Sequence, residues 1–482
     1  MSSILNHSSR RQFLKGAGLA SAATALTART SIAKTDSSAA LGQPQRAKNL
    51  IFLVADGMCN GTLALAHHWN VKNRDEKLNW MQLYGRDGLS RAFMETRSAS
   101  SPVTDSAAAA SAWGSGQRVY NGTINFSTEG KQLTPIYTYA RAAGKATGLV
   151  TTCTTTHATP AGFVANVKSR GDEKAIAKQY LERDVDVILG GGVGQYKYAE
   201  SEKDGVVQPA GNLFPDFEAK GYTIARNRSD LKRAKGSKKL LGLFSRGHIP
   251  YAIDRKNDDA LSEVPSLPEM FEAALAALSG AKDGFVLQVE GGRVDHAGHA
   301  NDAATILHEQ LEFDDCIPIA LEFVENNPDT LLIVTTDHGT GGCQLDGKGK
   351  AYAESDPALD AINSISQSFE WLEARFRKIG KFDAQVFEDA IGIKPTQQQA
   401  ERIDQALNDP EMKYLSSFMT GVFEAQLWQK TAVGFTSNNH TSECVELLAF
   451  GPGSEAISHF IENRELFGYV TDALGLTIGS EQ

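Results

Sequence analysis

Six short apolar runs, each closed by Gly, Asp, Glu or Thr, recur along the chain: Asn49 to Ala55, Ala146 to Thr151, Val185 to Leu189, Gly284 to Val289, Thr330 to Thr335 and Val445 to Phe450. Unbroken apolar runs of this length read as strands buried on both faces, the pattern of a parallel sheet. Between them lie segments of helical period, Met270 to Leu278 and Asp302 to Glu325, the second with Ile306, Leu307, Leu311 and Phe313 in register. The alternation predicts an α/β fold, a three-layer sandwich whose central, mostly parallel β-sheet is flanked by helices. In such sheets ligands bind beyond the carboxyl ends of the strands. With 482 residues, 41% of them hydrophobic, the chain can bury a large core of this kind. From about Tyr352 to Lys430 the pattern changes to amphipathic helices without strands, which reads as a helical insertion or cap. No internal repeat is visible. The cluster Gly190-Gly191-Gly192-Val193-Gly194 lacks the spacing of a dinucleotide-binding loop and reads as a turn.

The first 33 residues read as an address rather than as fold. Ser9-Arg10-Arg11-Gln12-Phe13-Leu14-Lys15 precedes a weakly apolar Ala/Gly run ending near Ser31-Ile32-Ala33, which resembles a twin-arginine export signal. Residues 34–482 then read as one α/β domain that contains the insertion, destined for the periplasm or the medium. No later run is apolar for the ~18 residues that a membrane helix needs. Acidic residues outnumber basic ones, 58 to 48. That balance argues against a nucleic-acid or anionic-membrane surface and suits small diffusible ligands. The five cysteines are scattered, without the close pairs of a structural zinc site.

Chemistry-bearing residues gather where the strands are expected to end. They are Asp56 in LVADGMCNG, Asp105 and Ser106 in VTDSAAAASA, Thr159 and Arg170 in THATPAGFVANVKSR, Glu290, Asp295, His296 and His299 in QVEGGRVDHAGHANDA, Asp337 and His338 in VTTDHGTGG, and His440 in TSNNHTSE. A single Asp after a strand is usually a cap or a turn, and a single His a satisfied hydrogen-bonder. Six such segments together exceed what capping explains. Asp295 and His299 share one helical face, one turn apart, as two ligands of one ion require. Asp337 and His338 are adjacent and reach one ion only from a turn. Carboxylate and imidazole donors suit zinc, whereas Asp56, Thr159 and Glu290 offer only oxygen, the choice of magnesium. Ser106 opens a helix, where the free N–H groups and the dipole favour an anion. Asp105 or Ser106 also serves locally as a simple N-cap.

The ordered set Asp-Gly-Met, Thr-Asp-Ser-Ala-Ala, Thr-Pro-Ala with Ser-Arg, Val-Glu-Gly, Asp-x-x-x-His, Thr-x-Asp-His and Asn-His-Thr resembles the alkaline phosphatases. The likeness runs from about Asn49 to Gly453, outside the insertion. It implies a phosphate-monoester hydrolase that forms a phosphoserine on Ser106, with small phosphate monoesters as substrates and a homodimer as a compatible assembly. It further implies that Asp295, His299 and His440 hold one zinc, and Asp337, His338 and Asp56 the second. Asp56 would bridge to a magnesium ion completed by Thr159 and Glu290, while Arg170 grips two phosphoryl oxygens beside Asp105. The chain departs from the family pattern at Thr340, where some members carry histidine, and at His157 and His296, where others carry Asp and Lys. The last two leave open which metal the third site takes. Phosphodiesterases share part of such a metal site, and a silent phosphate-binding protein is the rival of another class.

Overall fold

A computed structural model describes residues 46–203, 206–208 and 210–479. The signal segment lies outside them. Ten strands form the central sheet: β1 (Asn49–Val54), β2 (Ser90–Glu95), β3 (Ala146–Thr154), β4 (Val187–Gly191), β5 (Thr223–Ala225), β6 (Leu240–Leu243), β7 (Phe285–Glu290), β8 (Thr330–Thr335), β9 (Val445–Phe450) and β10 (Phe460–Glu462). Their order is β10-β2-β9-β8-β1-β7-β3-β4-β6-β5. Only β9 runs against the rest, pairing antiparallel with β8 and β2. The central trio is in register, with Leu53 opposite Val289 on β7 and Val334 on β8.

The middle strands are apolar throughout because both faces are covered. Along β1, Ile51 and Leu53 join one buried cluster while Leu50, Phe52 and Val54 join the other. Period-2 side chains that enter two separate cores define the middle layer of a sandwich. The first core continues through Val289 and Leu307 to Phe369, Leu372, Phe387 and Phe423. Helices between Leu345 and Val433 thus share the core of one sheet face, and no strand interrupts them among the described residues.

The alanine tract becomes helix α1 (Ser106–Ser115), in which every residue is buried. It packs against the short helix α2 (Ala158–Gly162) at backbone distance. A Cβ on Gly114 would lie 2.0 Å from the Gly162 carbonyl oxygen, and one on Gly162 would lie 2.5 Å from the Ala110 Cβ. Larger side chains would separate the helix that starts at Ser106 from the one that carries Thr159.

The segment expected as one helix from Asp302 to Glu325 is two, Ala303–Asp314 and Cys316–Asn326. Pro318 lacks an N–H, and its ring would meet the carbonyl of Asp314, so a continuous helix cannot pass through it. Strands β2, β5, β6 and β10 were not expected from the sequence. β2 alternates buried and exposed residues at the sheet margin, and the other three have only three or four residues each.

Candidate active site

The carboxyl ends of β1, β3, β7 and β8 deliver Asp56, the 154–159 turn, Glu290 and Asp337-His338 to one place. Helix α3 (Arg293–Ala300) follows β7 and carries Asp295 and His299 on one face, with His299 Nε2 3.4 Å from Asp295 Oδ1. His440 arrives on a separate two-residue strand paired with Gly339–Thr340. Ser106 is the first residue of α1, its Oγ 3.3 Å from His338 Nε2. Asp105 caps that helix by accepting the Ala108 N–H at 2.9 Å, and its other oxygen accepts from Gly122 N–H and from Arg170. The capping role and the Arg170 contact therefore coexist on one carboxylate.

Three imidazoles have one nitrogen committed to an oxygen. His299 Nδ1 lies 2.6 Å from the Asn438 carbonyl and His440 Nδ1 2.7 Å from the Thr104 carbonyl, so both must donate there. Thr340 Oγ1 gives its proton to Asp295 Oδ1 at 2.6 Å and so accepts from His338 Nδ1 at 3.3 Å. Each ring is left with a lone pair on Nε2. Those of His299 and His440 face each other at 3.0 Å and lie 3.4 and 3.5 Å from Asp295 Oδ1. That of His338 lies 3.1 Å from Asp337 Oδ2 and 3.6 Å from Asp56 Oδ1. Lone pairs converging this closely repel unless a cation sits among them. An outer N–H held by a carbonyl is the usual support of a metal-ligating histidine. Thr340 thus ties Asp295 to His338.

The carboxylates tell the same story. Asp56, Glu290, Asp337 and Asp295 are all buried, and Asp56 Oδ1, Asp337 Oδ2 and Glu290 Oε1 have no hydrogen-bond partner. Burial pushes the Asp56 carboxyl well above its ordinary range, and Asp337, Asp295 and Glu290 push it further. Burial opposes ionisation of Asp295 as well, but the imidazoles of His299, His440 and His338 outweigh it and hold that carboxyl low. Burial lowers His440 to about 4. Four buried carboxylates, three of them with an orphaned oxygen, beside imidazole nitrogens fit cations, and the groupings Asp295-His299-His440 and Asp56-Asp337-His338 each place their donors within 4.8 Å of one another.

Thr159 Oγ1 donates to Asp56 Oδ2 at 3.2 Å, beside Glu290, which also accepts from Thr151 Oγ1. His157 Nδ1 lies 3.9 Å from an oxygen of each of Asp56 and Glu290. Its Nε2 is 2.9 Å from Arg170, whose guanidinium always donates, so the ring proton belongs on Nδ1. His296 is a similar case, its Nδ1 accepting from Arg293 at 2.8 Å.

The sequence reading passed over several residues that meet here. His248 accepts the Thr154 N–H at 3.0 Å and its ring packs, tilted, with its centre 4.4 Å from that of His296, and Cys153 Sγ is 3.9 Å from His296 Nδ1. Both rings already accept an N–H, unlike the three metal-type histidines. Arg293, buried on α3, pairs with both oxygens of Glu370 at 2.8 Å and lies 3.8 Å from the centre of the Tyr251 ring. His248 follows β6, and recognising that strand was the available signal for it.

Comparison with known proteins agrees with this geometry. The family model described as alkaline phosphatase matches residues 47–476, and the twin-arginine translocation signal model matches residues 7–27. Alkaline phosphatase 3 of Bacillus subtilis is 30% identical over 445 residues, covering 91% of each chain. The Escherichia coli alkaline phosphatase is 32% identical over 333 residues, 61% of this chain and 70% of its own. The crystal structure of Thermus thermophilus alkaline phosphatase superposes with a TM-score of 0.80 at 35% identity, covering 94% of this chain and 96% of that one. No helix among the described residues is long and apolar enough to cross a membrane, and the twin-arginine signal indicates export. The chain belongs to the alkaline phosphatase family, metal-dependent hydrolases of phosphate monoesters.

Proposed function

We propose that the exported enzyme works through a phosphoserine on Ser106, at a site for two zinc ions and one magnesium ion, and releases inorganic phosphate. The observation that carries this reading is the convergence of three Nε2 lone pairs and orphaned carboxylate oxygens beside the Ser106 hydroxyl. Asp295, His299 and His440 would hold one zinc, and Asp56, Asp337 and His338 the other, since mixed imidazole and carboxylate donors suit that ion. Oxygen donors from Asp56, Thr159 and Glu290 suit magnesium. Bound there, the ions supply Lewis-acid polarisation and neutralise the charge that develops on phosphoryl, entering and leaving oxygens.

The chain's own groups position the reaction. Ser106 Oγ forms a bond to phosphorus while the bond to the alcohol oxygen breaks, and water then replaces the serine. Ser106 sits at the amino end of α1, where N–H groups and the helix dipole favour the incoming anion. Arg170 offers a planar fork to two phosphoryl oxygens, and Asp105 and His157 hold its plane. Charge placed in advance where the transition state needs it is the main source of acceleration in phosphoryl transfer. Purified enzyme should release phosphate from p-nitrophenyl phosphate orders of magnitude faster than nitrophenol from the bis-ester, and elemental analysis should find zinc and magnesium. Comparable turnover of the two compounds would make it a phosphodiesterase, and no turnover of either would make it a binding protein.

A further inference from the structure

A second cleft, of about 1110 Å³, opens at the carboxyl ends of β4 and β6, and the chemistry above does not use it. Lys174, Lys197, Arg226 and Arg246 line it against one carboxylate, Glu200. Neighbouring cations are neutralised: Arg141 pairs with Asp184 and Asp186, Lys239 with Asp184, and Arg228 with Glu269. The four in the cleft have no ion-pair partner among the described residues, in a chain with ten more acidic than basic residues. Two of them are held by aromatic rings, the Lys174 ammonium 4.1 Å from the centre of Tyr198 and the Arg226 guanidinium 4.6 Å from that of Phe214. The Arg246 carbonyl accepts the Gly194 N–H at 3.1 Å, which ties the two loops of the cleft together.

The cleft adjoins the end of β3, whose turn carries the His157 that holds Arg170, and lies roughly 20–25 Å along the sheet from the end of β8, where Ser106 meets His338. β4 is hydrogen-bonded to β3, and β6 to β4, so its rim lies roughly 5–10 Å along the sheet from the end of β3. Glu173, next to Lys174, accepts from Thr154 and Thr156 in the turn that ends at His157. His248, two residues after Arg246, accepts the Thr154 N–H.

We propose that this cleft holds the body of a substrate with several phosphate groups in one chain, a linear oligophosphate, while its terminal phosphate occupies the site at Ser106 and Arg170. The proposal rests on the phosphoserine reading. In the step it implies, Ser106 Oγ bonds to the terminal phosphorus as the anhydride bond to the next phosphate breaks. The chain leaves one unit shorter with the bridging oxygen on its new end, and water releases orthophosphate from the serine. Several unpaired cations gathered in one cleft favour a ligand that carries several negative charges, and that attraction should weaken with salt.

The test is the double variant Lys197→Ala/Arg246→Ala, neither residue belonging to the catalytic machinery. With long-chain inorganic polyphosphate, KM should rise roughly tenfold while kcat holds. KM for p-nitrophenyl phosphate should stay unchanged, which also shows that the variant is folded. Unaltered KM for polyphosphate, or equal rises for both substrates, would overturn the proposal. A rise confined to a 5′-phosphorylated oligonucleotide would overturn it too, assigning the cleft to nucleic acid. Calorimetric binding of polyphosphate to both proteins separates the two readings: if wild type binds it and the variant does not, but neither hydrolyses p-nitrophenyl phosphate, the cleft stands and the phosphoserine reading fails.

Discussion

His157 shows how one side chain sets the character of a metal position. Its Nε2 accepts from Arg170, which leaves the ring proton on Nδ1, facing Asp56 and Glu290 at 3.9 Å. A proton there competes with the cation that those oxygens and Thr159 would otherwise hold. An aspartate would remove the proton and offer oxygen to the waters that magnesium keeps. His157→Asp should therefore raise magnesium retained after dialysis towards about one ion per chain and reduce activation by added magnesium. Equal magnesium content in the two proteins, by elemental analysis in identical buffer, would show that His157 does not tune the site. Asp56, Glu290 and Asp337 were legible because each is a polar group set at the end of an apolar run. Thr340 was legible only as a departure, since its contact with Asp295 joins residues 45 apart.

At the scale of elements, helix α4 (Phe369–Ile379) is held at its start by three acidic side chains. Asp254 accepts the Ser368 N–H at 2.7 Å and its Oγ at 2.6 Å, Asp302 accepts the Phe369 N–H at 3.0 Å, and Glu370 grips Arg293. Burial pushes the Asp254 carboxyl up to about 7, past the opposing effect of its two hydrogen bonds. Between its ordinary 3.8 and that value the folded protein holds a proton that the unfolded chain releases. The resulting stabilisation is full below about pH 4 and is lost as pH rises through about 7. Glu309, also raised to about 7 by burial, acts in the same direction. Asp254→Asn should flatten the fall in Tm between pH 5 and 8 by roughly a few degrees, and an unchanged slope in calorimetry would contradict the assignment. The long central strands were legible from their apolar runs. The short strands β5, β6 and β10 give too few residues for a pattern, and losing β6 also hid His248. The salt bridge from Glu370 to Arg293 joins residues 77 apart, and nothing local announces it.

Across the whole molecule, parallel strands gather residues from Asp56 to His338 because the carboxyl ends of β1, β3, β7 and β8 face one way. That is why fold class and site came from one sequence pattern, whereas the basic cleft did not. Its four cations are spread from Lys174 to Arg246 without a motif, and only the unexpected neighbour of β4 brings them together. On the phosphoserine proposal, this convergence serves a covalent intermediate on the helix that starts at Ser106. Acid quenching after brief exposure to labelled phosphate tests it most directly. Stable label is expected on the peptide containing Ser106, and Ser106→Ala should abolish that label and lower turnover by about a thousandfold or more. Label on another residue, or label that survives Ser106→Ala, would contradict it.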